Sequence, residues 1–399
     1  MLEVVTVAEA QRIIAENVSL RTENEMTPLE DAAGRYAAQD ILSPEDLPAF
    51  NRSTVDGLAV HADDTFGCSE PLPAMLEYAG RILMGEDEKR TLKKGACMDI
   101  PTGGQLPEGA DAVVMVEYTE DLGDEFRYAL KPAAPNENVN RKGDDCKTGD
   151  VAVSAGTYLE PRNIAVLAAL GIDKLPTVKP LCVGIISTGD ELIPYSQHPH
   201  GSEIRNINTV TLASAAEKLG CTAISYPVVK DVKEDLMEAV KKAKDECDFI
   251  VLSGGSSVGE RDNVADVLSC YGEMKFHGVA LKPGKPTMFA MLGNVPCIGL
   301  PGHPAAAFYT FHLFAKPAIL KMMGARGRSQ TAPAVLSQKL PSNHGREEIM
   351  AVHLKDGKAY PLPAKSGVVS VLSEADGFVT VPRDAEGLSK DTVVEVNLF

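Results

Sequence analysis

The sequence predicts a multi-domain α/β protein built around a doubly wound, mainly parallel sheet. Between residues 180 and 324, short apolar runs alternate with amphipathic helical patterns, as in a chain of strand–helix units. Residues 46–145 are rich in Pro and Gly and contain short strand-like runs, which indicates a small β-rich unit. Residues 327–399 show the same strand-like runs between turns, a pattern typical of a small β-barrel or sandwich.

The N-terminal segments are expected to form an extended helical part. Capping boxes at Thr6-x-x-Glu9 and Thr27-Pro28-Leu29-Glu30 each predict a helix start, and a further helix is predicted over Pro161–Ala169. We therefore expect four domains: an extended helical domain from residues 1–45 and 146–178, a β-rich inserted domain at 46–145, an α/β domain at 179–326 and a β-barrel at 327–399.

The α/β domain has a clear order of elements. The runs LCVGIIS, TAISYPVV, DFIVLSGG and PCIGL are expected to be strands. The expected helices are NTVTLASAAEKLG, DVKEDLMEAVKKAKDE, DNVADVLSCYG and PAAAFYTFHLFAKPAILKMMG. Asn208 is the expected cap of the first helix, and Gly220 its stop. Ligands of such sheets bind beyond the carboxyl ends of the strands.

Composition excludes several classes of function. A net charge of −17 over 399 residues argues against non-specific nucleic-acid binding, which needs a basic face. We expect no membrane partner, because no apolar run approaches the length of a membrane span and the N-terminus lacks a signal-peptide layout. The eight cysteines form no CxxC pair and are predicted to be free thiols of a cytoplasmic protein.

Four loops of the α/β domain are candidates for a ligand site. They are Ser187-Thr188-Gly189-Asp190-Glu191, Ser253–Gly259, Lys282–Pro286 and Gly299–Pro304. Glycine loops expose backbone amides to anions, lysines on a proline-stiffened frame suit an oxyanion, and paired carboxylates suit Mg²⁺. Each loop alone is compatible with an ordinary surface turn. Together, at one edge of one sheet, they predict an anion-binding site.

Further acids and polar turns complete the set of candidates. Asp231 and Asp262 are positioned to join Glu191 in holding a metal, although Asp231 also suits a helix cap. The segments Asn51–Gly57, Pro101–Gly104 and Arg141–Asp145 are unusually polar, and each is also compatible with a capped turn.

Taken in order, these segments resemble the MoeA family of molybdopterin molybdenumtransferases, to which the E domain of gephyrin is related. The matching motifs include LPAFNRSTVDGLAV, PTGGQLPEGADAVVMVE, NVNRKGDD, ISTGDEL, LSGGSSVGERDN, KPGKP and GLPGHPAAAF. The resemblance implies a molybdopterin-binding type of α/β domain and a homodimer with active sites between two subunits. It also implies Mg²⁺-dependent insertion of molybdate into adenylylated molybdopterin with release of AMP, and a MogA-type adenylyltransferase and molybdoenzymes as partners.

The resemblance assigns roles to particular residues. It implies catalytic roles for Asp56, Glu191, Lys282 and Lys285, and metal binding by Glu191, Asp231 and Asp262. It places substrate binding at Thr102, Asp145, Ser187, Gly189, Asp190, Ser253, Gly254, Gly255, Ser256, Gly259, Pro301, Gly302, Pro304, Arg346 and Ser366.

This chain departs from the family pattern at several positions. His303 replaces the usual Asn, Ala351 falls where the barrel motif has a second Arg, and Val371 falls where it has a Ser. The changes at Ala351 and Val371 remove a cation and a hydroxyl. One alternative is therefore a paralog that binds the pterin nucleotide but handles another oxyanion, such as tungstate, or only hydrolyses the nucleotide. A second alternative is a non-catalytic pterin-binding scaffold.

Overall fold

A computed structural model describes residues 4–21, 23–255, 263–326, 331–343, 345–362 and 367–399. The chain forms two compact units. One consists of Asp40–Ser154 and Pro161–Lys174, and the other of Met1–Gln39, Ala155–Glu160 and Leu175–Phe399. The second unit contains the central sheet and the loops that the sequence identifies as a ligand site.

The central sheet has six strands. In spatial order they are Thr222–Ser225, Cys182–Thr188, Phe249–Gly254, Val295–Leu300, Met288–Leu292 and Glu273–His277. The first four are parallel to one another, and the last two are added antiparallel. The predicted doubly wound parallel sheet is confirmed. The antiparallel edge was not predicted; its two strands follow one another through the sheet, and a tight hairpin turn at Gly293-Asn294 joins Met288–Leu292 to Val295–Leu300.

The helices of this unit follow the predicted order. They are Val7–Asn17, Asn208–Lys218, Lys233–Glu246, Asn263–Tyr271 and a continuous helical stretch formed by Pro304–Thr310, Phe311–Ala315 and Lys316–Met322. The middle part of the last stretch is a π-helix. Pro317 has no N–H to donate to the carbonyl of Leu313, so the regular hydrogen-bond ladder is interrupted there. Among the described helices, none has both the length and the apolar character that crossing a bilayer requires.

Helices cover both faces of the sheet, because side chains alternate along each strand. Val251 belongs to the same buried cluster as Leu212 and Phe314. The preceding residue, Ile250, belongs to a second cluster that includes Val240 and Val267. The strand is therefore buried on both sides, as its continuous apolar run predicts.

The C-terminal region forms a closed β-barrel. Its five strands are Thr331–Leu336, Glu347–Lys355, Lys358–Pro361, Gly377–Val381 and Val393–Leu398. The barrel closes because Glu347–Lys355 pairs with both Lys358–Pro361 and Gly377–Val381. The short strand Leu281–Lys282 adds to Glu347–Lys355 in parallel. Smaller elements are the helix Val371–Glu374 and the pair Leu340–Pro341 with Gly387–Leu388. The predicted barrel is confirmed.

The N-terminal segments contain fewer helices than expected. Thr6 caps the helix Val7–Asn17 by accepting the Glu9 N–H at 3.2 Å, as its capping box predicts. The second predicted start is wrong: Asn24–Pro28 is a strand paired with Lys174–Val178, followed only by the 3-10 turn Leu29–Asp31. The backbone of this segment forms its hydrogen bonds with the distant strand, so tertiary pairing overrides the local capping signal.

The other unit is rich in strands, as the short apolar runs predict. Its six-stranded sheet has the spatial order Ala112–Met115, Gly57–Val60, Ala96–Ile100, Ala74–Arg81, Phe126–Ala129 and Thr119–Glu120. Two short pairs join Ile41–Leu42 to Val151–Val153 and Arg52–Ser53 to Val139–Asn140. It also contains the 3-10 helices Ala62–Thr65 and Val116–Tyr118 and the α-helix Pro161–Ala169, whose bounds match the prediction.

The start of the helix Asn208–Lys218 differs from the prediction. Asn208 is the first helical residue rather than its cap, and the cap position is Ile207. The carbonyl oxygen of the Asn206 side chain instead accepts the Thr209 N–H at 3.3 Å. The amide of Asn208 therefore does not serve the helix terminus.

Candidate active site

A cavity of about 660 Å³ opens at the carboxyl ends of the parallel strands. It lies where Cys182–Thr188 and Phe249–Gly254 run side by side, with the chain continuing to opposite sides of the sheet. This is the topological switch point at which doubly wound sheets bind their ligands. A second cavity of about 710 Å³ lies in the barrel beside His353 and Asp376, but none of the predicted site residues line it. Side-chain chemistry, rather than size, singles out the first cavity.

All four predicted loops contribute to this cavity. The predicted site residues that line it are Gly189, Glu191, Asp231, Ser253, Gly254, Gly255, Lys282, Lys285, Pro301, Gly302, Pro304 and Arg346. His303, one of the departures from the family pattern, also lines it.

The remaining predicted residues are not among those that line the cavity in the described part of the chain. Ser187 is buried and its hydroxyl is hydrogen-bonded to that of Thr209 at 2.8 Å, so it supports the loop from beneath. Asp190 accepts the Asp231 N–H at 3.1 Å. Ser256, Gly259, Asp262 and Ser366 fall outside the described residues. Asp56, Thr102 and Asp145 belong to the other compact unit.

The glycine loop is packed tightly against the neighbouring strand. Gly254 has a φ of +101°, and a Cβ there would lie 2.1 Å from the carbonyl oxygen of Thr188. Gly255 also has a positive φ, and a Cβ there would meet Val264 at 2.6 Å. Only glycine fits this backbone, which brings the chain to the cavity wall without side chains between it and a ligand.

Two carboxylates from the described part of the chain face the cavity. Asp231 is held at three points: its Oδ1 accepts the Thr188 hydroxyl at 2.7 Å, its N–H binds Asp190, and its carbonyl accepts the Asn263 amide at 2.8 Å. Glu191 lies on the adjoining loop and lines the same cavity. Within the described ranges, no three His, Cys, Asp or Glu side chains converge on one point. Two oxygen ligands still suit Mg²⁺, which usually keeps several waters and binds one or two carboxylates.

Among the described residues that line this cavity, cations outnumber acids. Lys282, Lys285, Arg346 and Arg205 line it, against Glu191 and Asp231. The Lys282 ammonium is paired with Glu348 at 2.8 Å. The local surplus of positive charge explains how a chain of net charge −17 is able to hold an anion.

Arg205 was not identified from the sequence. It lies on the short strand Ile204–Asn206, which pairs with Leu192–Pro194, and its Nε donates to the Gln197 carbonyl at 3.0 Å. This bond anchors the guanidinium at the cavity rim. The available signal was an Arg shortly before a predicted helix, but the strand that positions it was not predicted.

Asn208 is the second residue of the site that was not predicted from the sequence. From its buried side chain, Nδ2 donates to Ser253 Oγ at 2.7 Å and to the Gly302 carbonyl at 2.8 Å. The Ser253 hydroxyl in turn donates to the Pro301 carbonyl at 3.3 Å. One helix residue thus ties together two of the predicted ligand loops.

In the other unit, two predicted residues meet directly. The Asp56 Oδ1 accepts the backbone N–H of Thr102 at 2.7 Å and its hydroxyl at 3.1 Å. These bonds, the backbone one foremost, hold the pKa of the Asp56 carboxyl below its usual value. Asp145 is exposed and its N–H donates to the Leu47 carbonyl at 2.9 Å.

The two apolar departures in the C-terminal region are buried. Ala351 lies in the barrel strand Glu347–Lys355, and Val371 begins the helix Val371–Glu374. Their exposed fractions are 4% and 8%. Neither residue lines the cavity.

The sheet, its switch-point cavity and the attached barrel define a protein of the molybdopterin-binding α/β class. Three family models match successive parts of the chain: "MoeA N-terminal region (domain I and II)" at residues 5–171, "Probable molybdopterin binding domain" at 184–321, and "MoeA C-terminal region (domain IV)" at 333–399.

Curated relatives and a solved structure match most or all of this chain. A molybdopterin molybdenumtransferase of Bacillus subtilis is 33% identical, with 94% of this chain and 90% of the relative covered. One from Haemophilus influenzae is 34% identical, over 80% and 78%. A crystal structure of the molybdopterin biosynthesis MoeA protein of Pyrococcus horikoshii superimposes with a TM-score of 0.87 and 32% identity, covering 100% of both chains. The chain therefore belongs to the MoeA family. The predicted enzyme class, a transferase of molybdenum cofactor biosynthesis, is confirmed.

Proposed function

We propose that this protein inserts molybdate into adenylylated molybdopterin and releases AMP in a Mg²⁺-dependent reaction. The observation that carries the proposal is the switch-point cavity, which combines Lys282, Lys285 and Arg346 with Glu191 and Asp231. Cleaving a phosphoanhydride and placing an oxyanion requires both kinds of group, cations for the oxyanion and carboxylates for a metal. The family relatives named for molybdenum transfer support the same reaction.

Each part of the cavity has a proposed role. Lys282 and Lys285 hold molybdate, and Arg346 adds a guanidinium that can bind two oxygens at once. The amides of the Gly254-Gly255 loop and of the turn at Gly302 hold phosphate oxygens. Glu191 and Asp231 would hold Mg²⁺, which when bound neutralises phosphate charge. In this proposal Thr188 and Asp190 keep Asp231 in place.

A reconstituted reaction tests the proposal. The purified protein is mixed with adenylylated molybdopterin, Mg²⁺ and either molybdate or tungstate, and AMP and active cofactor are both measured. AMP release with cofactor formed supports transfer, whereas absence of AMP release with every oxyanion contradicts it. Lys285→Gln should raise the molybdate concentration for half-maximal rate at least about tenfold. Lys241→Gln, an exposed lysine of the helix Lys233–Glu246, is the matched control and should change nothing.

A second candidate function follows from the buried Ala351 and Val371. If apolar residues at these two positions have changed which oxyanion the protein binds, the protein handles tungstate in preference to molybdate, or it only hydrolyses the nucleotide. The same reaction separates these candidates, since hydrolysis alone releases AMP without forming active cofactor. A pterin-binding scaffold would bind the nucleotide and release no AMP at all.

We also propose that the active protein is a homodimer in which Asp56, Thr102 and Asp145 of one subunit complete the cavity of the other. Co-expression of an Asp56→Asn chain with a Lys285→Gln chain is the direct test. If the site is shared, each mixed dimer contains one intact site, and the mixture should recover about a quarter of wild-type activity. If each site lies within one subunit, the mixture should stay inactive.

The proposal extends to the surroundings of the enzyme. A MogA-type adenylyltransferase would supply the nucleotide, and molybdoenzymes would receive the cofactor. All eight cysteines are free thiols, which agrees with a cytoplasmic, reducing location. Pull-down of the two partner classes with the tagged full-length chain tests these contacts. Recovery of neither class would contradict the proposed partners.

A further inference from the structure

The ion pair between Lys282 and Glu348 lies beside the cavity but is made by a residue outside the predicted site. The Lys282 Nζ is 2.8 Å from Glu348 Oε1, and the Ser342 hydroxyl donates to Glu348 Oε2 at 2.9 Å. The strand pairing places Lys282 directly opposite Glu348. The Glu348 side chain is 15% exposed, whereas that of Lys282 is 53% exposed. The carboxylate is therefore fixed by two bonds, and the lysine is the partner with room to move.

We infer that Glu348 sets the affinity of the cavity for tetrahedral oxyanions by neutralising Lys282. The inference rests on the proposed function, because it assumes that an oxyanion binds at Lys282 and Lys285. An anion that reaches Lys282 must share the ammonium with a fixed carboxylate and is repelled by its charge. Because the Glu348 side chain is only 15% exposed, the repulsion from its carboxylate is screened less than it would be on an open surface.

Glu348 lowers the affinity of the cavity for oxyanions but does not abolish binding. Lys285 and Arg346 also line the cavity, and no described carboxylate lies within ion-pairing distance of either. Together with Arg205 these cations supply the basic attraction for a dianion, while Glu348 removes the excess that a further free cation at Lys282 would add. A consequence is reversible occupancy: without Glu348 the cavity would stay filled by any tetrahedral dianion, phosphate and sulfate included.

The test is direct binding of the oxyanion to the full chain, without catalysis. Calorimetry with molybdate, tungstate, phosphate and sulfate is run on the wild type and on Glu348→Gln, which keeps the shape and loses the charge. We expect Glu348→Gln to bind each anion about tenfold more tightly, with the gain shrinking as ionic strength rises. Glu347→Gln is the matched control: the neighbouring acid alternates to the other side of the strand and should leave the dissociation constant unchanged.

A kinetic readout separates this role from simple structural support. In the AMP-release assay, Glu348→Gln should lower the KM for molybdate with an unchanged melting temperature, whereas loss of a purely structural contact would raise KM. Glu348→Ala provides a second removal of the charge if the Gln variant does not fold, and it should shift the anion affinity in the same direction.

The outcomes distinguish two failures. If the wild type binds an oxyanion and Glu348→Gln binds it equally or more weakly, the inference is overturned and the proposed function stands. If neither protein binds any oxyanion while the melting temperatures are normal, the cavity is not an oxyanion site. Both the inference and the proposed function are then contradicted.

Discussion

The hydroxyl of Thr188 donates a hydrogen bond to the carboxylate of Asp231 across 2.7 Å. Thr188 is the last residue of the strand at the switch point, and Asp231 follows the neighbouring strand in the chain. The bond therefore fixes a cavity carboxylate directly to the sheet. Such supporting contacts orient a metal ligand and commonly change metal affinity 10- to 100-fold when they are lost.

Replacing Thr188 by Val should weaken the response to Mg²⁺. Val has the same shape but no hydroxyl, so Asp231 loses one of its three anchors. We expect the Mg²⁺ concentration for half-maximal AMP release to rise about tenfold. Thr222→Val, at an exposed position on the edge strand, is the control. An identical Mg²⁺ titration for both variants would contradict the proposed role of Asp231 as a Mg²⁺ ligand.

Replacing Asn208 by Ala should loosen two loops at once. The change leaves the buried Ser253 hydroxyl and the Gly302 carbonyl without their amide donor, and an unsatisfied buried polar group costs about 1–3 kcal/mol. The free energy of unfolding, measured with denaturant, should fall by that amount, and the KM for the nucleotide should rise. Asn24→Ala, at an exposed strand position, should leave both unchanged. A stable variant with a normal KM would show that the two loops do not depend on Asn208.

Lys316 predicts a pH dependence of stability. It is 8% exposed, and burial lowers its pKa from 10.5 to about 8. Between these values the unfolded chain binds more protons than the folded one, so the free energy of unfolding rises with pH across that window. Below it, the buried charge costs a constant amount.

Lys316→Met should therefore be more stable than the wild type at neutral pH, by about 2–3 kcal/mol. The difference should shrink as pH rises from 8 to 10.5. Denaturant titrations at several pH values give the two curves, with Lys241→Met as the exposed control. Parallel curves for wild type and Lys316→Met would mean that Lys316 titrates near its ordinary pKa.

Thr102→Val should raise the pKa of Asp56 part of the way toward its ordinary value of 3.8. The variant removes the hydroxyl donor and keeps the backbone donor, so only part of the shift is lost. The sign follows from the lowered pKa: the stabilisation is present above the ordinary value and is lost as pH falls through the folded one. NMR titration of the carboxyl carbon measures the pKa of Asp56. Asp46, which Thr148 holds in a similar way, is the internal reference. An unshifted Asp56 would mean that the hydroxyl contributes nothing.

The helices show where a local sequence pattern is enough to predict the structure and where it is not. The apolar period predicted the helices Pro161–Ala169 and Asn208–Lys218, because a buried stripe every three or four residues is a local property. The Thr27 capping box predicted a helix that does not form, since Asn24–Pro28 pairs with a strand about 150 residues away in the chain. Local signals are outweighed wherever a distant partner satisfies the same backbone groups.

The doubly wound sheet, the barrel and the four loops of the cavity could be predicted from the sequence, because strand–helix alternation and the placement of glycine and lysine are local properties. Which side chains meet could not be predicted, because those contacts form only in the folded chain. A shift of one residue at a helix start turned Asn208 from a cap into the link between Ser253 and Gly302. Parallel pairing of the short strand Leu281–Lys282 with the barrel strand Glu347–Lys355 brought Glu348 to Lys282. Both contacts join segments far apart in the chain, and their geometry depends on strand register, which no short stretch of sequence specifies.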